Sequence, residues 1–326
     1  NTSAAVGDDG FHLEAELTAV VNAFVTNNSF SAHGGDHFNL SLVNNANVDL
    51  TFTGNAFAGG HAVGLGQGLF ILGAAFNGSF NYDISNNGTA LAPLVGNRQG
   101  GMIHVNKGSG TATYSGRIQN NFIGNAAIVN SGSLEAFGII IGTRGAGGSH
   151  TTLIDSNTVR QYEDRGIVSE AGEGAAALNA TITNNTVSNF ADATNSLHGI
   201  HSDNGINPTD TNAVCMDIRA NSVATAGNEP QGGADIRLRK GPQAGLSLRI
   251  PNLVGTDAAA ATAKVQADNP TATTVSVTGA NFTGGAACTQ PTLPAAPLGP
   301  IEASATSELS AANTLQAPTL DAKSEN

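Results

Sequence analysis

Apolar and polar residues alternate along this chain in short runs, and each run ends at a polar pair built around Asn. The recurring unit is an apolar or β-branched residue, a spacer, the polar pair, one further residue and a closing apolar residue. It occurs as Val25–Thr26–Asn27–Asn28–Ser29–Phe30 and as Phe52–Thr53–Gly54–Asn55–Ala56–Phe57. It returns at Ile84 to Asn87, where Gly88 cuts it short, and then at Ile118 to Ile123, Ile154 to Val159, Ile182 to Val187 and Ile218 to Val223. The second polar positions are 28, 55, 87, 121, 157, 185 and 221, so the steps are 27, 32, 34, 36, 28 and 36. An irregular period near 30 is the signature of a solenoid with loops of variable length.

Helical repeats need long helix-forming runs, and here Gly, Asn and Thr interrupt every one. At about 3.3 Å per residue, one period supplies three short strands and their turns. The fold class predicted is all-β, a right-handed parallel β-helix of about seven to eight coils. Asn at each bend is suited to the left-handed conformation and to hydrogen bonding with its counterpart in the next coil. A second column supports the register. Phe11, Phe38, Ile103, Ile139, Ile167, Ile200 and Ile236 share the inward position. Alternation then puts His12, Asn39, His104, Ile140, Val168, His201 and Arg237 outside. The stretch around 61–76 does not align.

The two ends read differently. The period covers 1–250 and stops after Arg249. Residues 251–290 read as a C-terminal cap: a short helix over 257–267 capped by Thr256, then strand pieces at 274–277 and 281–282. A solenoid exposes an apolar cross-section at its ends and needs such a cover. Residues 291–326 are rich in Pro, Ala and Ser and read as a linker or tail. A first residue other than Met fits a processed or excised segment.

Composition narrows the partners. Thirteen basic against twenty-five acidic residues give a net charge of −12. The basic cluster Arg237, Arg239, Lys240 and Arg249 is too small to track phosphates, so nucleic acid is not an expected partner. No apolar run reaches the ~20 residues that span a bilayer, so membrane insertion is not expected either. Cys215 and Cys288 are the only two cysteines. They are either one disulfide or two buried thiols; few charges, many Asn and a polar tail favour an oxidising compartment and hence the bridge.

The coil motifs resemble right-handed parallel β-helix repeat proteins. The stretch Gly233 to Arg239, the apolar Leu248–Arg249–Ile250–Pro251, the Ala-rich helix and Phe282 to Cys288 together resemble the end of the helix in large bacterial cell-surface proteins. The resemblance covers roughly residues 10–290. It implies the bacterial exterior and an adhesin-like or structural role. Expected partners are other copies of the chain, other surface proteins or carbohydrate.

Enzymes share the β-helix, so candidate chemistry follows. A polysaccharide lyase or glycoside hydrolase needs carboxylates at a set separation or a base beside acidic groups. The best constellation is His201, Asp203, Asp235, Arg237, Arg239 and Lys240 on adjacent coils, with Asp203 and Arg239 matched one coil apart. Against this, the chain has no Trp and 3 Tyr to stack on sugars, so the competing reading is a surface ion pair. Asp8 and Asp9 are calcium candidates; no cofactor is otherwise called for. His12, His104 and His201 are not on adjacent coils and read as solvated strand residues. Loops 189–198 and 204–213 are candidate presentation loops.

Overall fold

The computed structural model describes residues 9–31, 33–58, 66–96, 99–191 and 197–294. Asp8, the stretch 59–65, residues 192–196 of the loop 189–198 and the segment from 295 onward lie outside these. Most of the predicted tail therefore falls outside as well.

The described chain is mostly β, and each paired strand runs parallel to its neighbours. Strands one lap apart share a sheet. One sheet has nine strands, a second has eight, and short strands form a third set. His12–Ala15 pairs with Phe38–Asn44, which pairs with Leu69–Phe76, and the series continues to Ala234–Lys240 and Val275–Thr278. This is the arrangement of a β-helix or solenoid.

From Phe38 onward the inward file is the one that periodicity predicts; Phe11 stacks on Phe38 but stays 47% exposed. Phe38, Leu69, Ile103, Ile139, Ile167, Ile200, Ile236 and Val275 stand in register. All but the last are buried. Leu69 fills the place the sequence left open. Its strand reads Leu69–Phe70–Ile71–Leu72, apolar on both faces, so alternation gave no signal there. In the eight-stranded sheet Asn47–Thr53 alternates cleanly, with Val48, Leu50 and Phe52 buried.

The polar pairs divide two jobs between their members. The first member takes positive φ: Asn27, Asn86, Asn120, Asn184, Ser156 and Ala220 all lie between 55° and 56°. Gly54 does the same at 68°, where Asn27 Oδ1 would lie 2.4 Å from any added Cβ. The left-handed turn thus belongs to the residue before the stacked Asn. The second member turns inward and builds a ladder. Asn55 Oδ1 accepts from the backbone N–H of Asn28 at 2.9 Å and from its Nδ2 at 3.2 Å. The same double contact links Asn55 to Asn87, Asn87 to Asn121, Asn121 to Asn157, Asn157 to Asn185 and Asn185 to Asn221. From Asn55 to Asn221 each spare Nδ2 hydrogen goes to a carbonyl of the lap before, as from Asn121 to Ile84 at 3.0 Å, and that of Asn28 goes to Thr26 O in its own lap.

The ladder ends on the cap. Asn269 follows the helix Ala258–Asp268, and its Oδ1 accepts from Asn221 N and Nδ2, both at 3.0 Å. Its own Nδ2 donates to Ile218 O and to Val265 O within the last helical turn. The helix starts one residue later than predicted: Asp257, not Thr256, caps it, accepting from Ala260 N at 2.7 Å. Thr256 O is taken by Phe282 N. Small Ala side chains let the helix lie flush on the last lap, burying Ala261 and Val265. The strand Val275–Thr278 then extends the nine-stranded sheet. Cys215 and Cys288 form a disulfide. Beyond it Gln290 Nε2 donates to Thr181 Oγ1, and Thr292 exchanges hydrogen bonds with Ser115. Residues 288–292 therefore run back across earlier laps of the eight-stranded sheet.

Two outcomes are expected. Asn121→Ala strands the paired donors of Asn87 in an apolar interior and should cost about 2–4 kcal/mol in denaturant unfolding. Asn28→Ala, at the part-exposed end of the ladder, should cost clearly less; equal costs would contradict the ladder. The disulfide closes a separation of 73 residues. On the chain-entropy model its loss in Cys215→Ser should cost about 4 kcal/mol. Reductant should lower the melting temperature of the native protein and leave that of the Cys215→Ser/Cys288→Ser variant unchanged.

Candidate functional site

The outer face of the nine-stranded sheet changes character along the axis. At the C-terminal laps it carries two adjacent files in register: Val168–His201–Arg237, and Glu170–Asp203–Arg239. Arg144 and Arg165 flank them. Charged groups in neighbouring strands sit close enough to pair. Arg239 Nε donates to Asp203 Oδ1 at 2.5 Å. Arg144 reaches Glu170 at 3.5 Å and Glu173 at 2.9 Å. Arg165 lies 3.4 Å from Asp164 and holds its guanidinium 5.5 Å above the ring of Phe137.

Of the residues singled out by sequence, His201, Asp203, Arg237 and Arg239 come together here. Asp235 and Lys240 do not. Asp235 is fully buried and accepts from Ala226 N, Gly227 N, Thr273 N, Thr273 Oγ1 and Thr274 N. It fastens the cap to the last lap. Alternation misplaced it because it sits at the strand start, where residues 226–227 and 273–274 close over it. Lys240 continues the inner file of Lys107, Thr143, Ala171 and Asn204, facing away from Arg239. Burial pulls its ammonium below the usual lysine range.

Sequence reasoning missed Glu170, Arg144, Arg165 and His198. A signal existed for Glu170: it stands four residues after Gly166, as Asp203 stands four after Gly199, so the two carboxylates share one position on consecutive laps. Burial pushes the Glu170 carboxyl up against the pull of Arg144, and Asp203 adds to the rise.

Of the histidines read as solvated, His12 is exposed, with its Nδ1 3.3 Å from Asp9 Oδ2, whereas His104 is half-buried and His201 is buried. His201 is 6% exposed and packs its ring 4.9 Å from that of His198. Burial, then Arg165, His198, Arg237 and Arg239, hold the His201 imidazole down to about 2. His198 is held at about 4 by burial and by Arg237 and Arg165; its Nδ1 accepts from Ala234 N. His104 is pushed down to about 4 by burial and Arg144, beside Phe70 and with Gln67 Oε1 at 2.8 Å.

Inside the solenoid, His150 bridges Tyr82 Oη at 2.9 Å and Thr143 Oγ1 at 3.1 Å. Burial holds it neutral, down to about 3. All three tyrosines are fully buried, so none forms an outer platform. Asp9 is engaged at the first turn: its Oδ1 accepts from Asp36 N at 2.7 Å, and Asp36 Oδ1 accepts likewise from Gln67 N. Among the described residues no group of three or more His, Cys, Asp or Glu is placed to hold a metal ion. No described helix is long and apolar enough to cross a membrane. The loop 204–213 is tied down rather than free, since buried Asp210 accepts from Asn207 N and Gly174 N.

Comparison with protein-family models, with curated proteins and with solved structures finds no match to this chain.

The buried imidazoles give the fold an acid sensitivity. Each is neutral when folded and binds a proton when unfolded below pH ~6.5, so stability must fall as pH drops below that value. For His150 alone the slope is about 1.4 kcal/mol per pH unit down to its folded value. Three carboxyls oppose this: burial raises Asp36 to about 6 and lifts Asp164 and Glu170 as well, so their contribution to stability rises as pH falls through their folded values. The four histidines carry the larger shifts and outweigh the three carboxyls. The melting temperature should be lower at about pH 4.5 than at about pH 7.5, with the His150 ring signal still that of the neutral form. A melting temperature that rises on acidification would contradict the assignment.

Proposed function

We propose that this chain is a rigid extracellular element of the bacterial surface, structural or adhesive, that presents its outer sheet face to a partner and performs no chemistry. We read its winding as right-handed, the hand of nearly all parallel crossover connections. The observation that carries the reading is the division of the candidate catalytic groups. Asp235 and Lys240 turn inward, and each outward carboxylate of the site lies beside an arginine. A general base needs a free carboxylate within reach of its proton, and an ion-pair lattice offers none. The disulfide fits the oxidising exterior.

Self-association belongs to the same reading. The first described lap leaves Val20 75% and Leu17 66% exposed, beside a groove of about 350 Å³ lined by Phe11, Phe24, Phe30 and Phe38. We propose that these exposed apolar side chains pack against another copy.

The alternative, a polysaccharide lyase or glycoside hydrolase, is favoured by one feature: Glu170, with its raised carboxyl, stands beside Asp203. A turnover screen on acidic and neutral polysaccharides decides between them. The wild-type protein should release no reducing ends and no unsaturated products. Turnover that is lost in both Glu170→Gln and Asp203→Asn would establish the enzyme instead.

A further inference from the structure

The outer face holds one arginine without an acid. Arg237 lies between His201 and Ser276 in its file, and no described carboxylate pairs with it. Its Nε is sealed from solvent and has no hydrogen-bond partner, and the same holds for Arg165 Nε. Between the two arginines lies His201, more than nine-tenths buried, with neither ring nitrogen bonded. Buried donors in this number are rarely left unmatched in a folded protein. Here they stand on three consecutive strands, Arg165–Gly174, His198–Asn204 and Ala234–Lys240, and they have one need in common, a negatively charged acceptor.

We propose that Arg165, His201 and Arg237 form a binding site for an oxyanion, the chemistry shared by sulfate, phosphate and carboxylate. Arginine suits such a ligand because its planar fork matches two oxygens at once. An oxyanion bound beside His201 accepts from guanidinium N–H groups of the two arginines and from whichever ring nitrogen of His201 carries the proton. A cation is disfavoured by the positive charge of Arg165 and Arg237, which adds to burial in holding both imidazoles down. An extended peptide pairing through its backbone is disfavoured, because the backbone of these central strands is already paired on both sides. The site goes beyond the structural or adhesive reading and stands or falls without it.

The test uses the full chain with labelled histidine rings, titrated with sodium sulfate, with glucuronate and with sodium chloride at matched ionic strength. Sulfate should shift the His198 and His201 ring signals together and saturably, in the millimolar range, while chloride should not. A response to glucuronate as well would support a site open to the carboxylate of acidic sugars; a response to sulfate alone would support a site for inorganic oxyanions. Arg237→Gln should weaken binding at least about tenfold, the loss of one charge-assisted contact, and leave the anion-free melting temperature unchanged. Arg165→Gln should weaken it as well, and Arg219→Ala, on the eight-stranded sheet, should not. Absence of a saturable shift, or a shift that survives both glutamine variants, would overturn the proposal.

Discussion

A side-chain amide in an apolar interior has four hydrogen-bonding positions to satisfy, and in this chain the neighbour one lap away satisfies them. That constraint organises the rest. Asn121 is fully buried, and its oxygen takes two hydrogens from Asn87 while its nitrogen feeds Asn157 and Ile84. Slipping any lap by one residue would break both contacts and turn the inward isoleucines outward. The amide file therefore fixes register, while the apolar files beside it supply the burial that holds the laps together. The same constraint shapes the cap. A ladder cannot stop on an unpaired donor, and Asn269 ends it by receiving Asn221 and passing its own hydrogens to the last lap and the helix.

Much of this was legible because the ladder residue recurs at a spacing one lap long. The inward isoleucines were legible for the same reason, from Ile103 through Ile236. Asn269 was not, since the inserted helix stretches its separation from Asn221 to 48 residues, well outside the period. Leu69 was hidden by a strand that is apolar on both faces. Asp235 was misread because residues 226–227 and 273–274, the latter from the cap, close over the strand start, and alternation within one strand does not report that. The left-handed turn was credited to the stacked Asn, whereas it belongs to the residue before it. Ser156 and Ala220 fill that role as well as Asn does, which is why the first member of the pair varies in the sequence.

The candidate site was legible only in part. The match of Asp203 with Arg239 followed from register, and the two form a direct ion pair. What spacing does not reveal is burial on a face expected to be wet. Val168 and His201 point outward and are nonetheless covered. Long arginine side chains lie around these positions, and their aliphatic stems shield what lies beneath. The result is a face where imidazoles stay neutral beside guanidiniums, with Arg237 left without a counter-charge.

The most direct test of the central claim is side-chain amide hydrogen exchange of the ladder asparagines. If the stacked amides hold the laps in register, the Nδ2 hydrogens of Asn87, Asn121, Asn157 and Asn185 should exchange only on global unfolding, as slowly as the neighbouring backbone amides. Those of Asn47, exposed outside the ladder, should exchange at once. Fast exchange at the four ladder positions while the backbone of the same laps stays protected would contradict it.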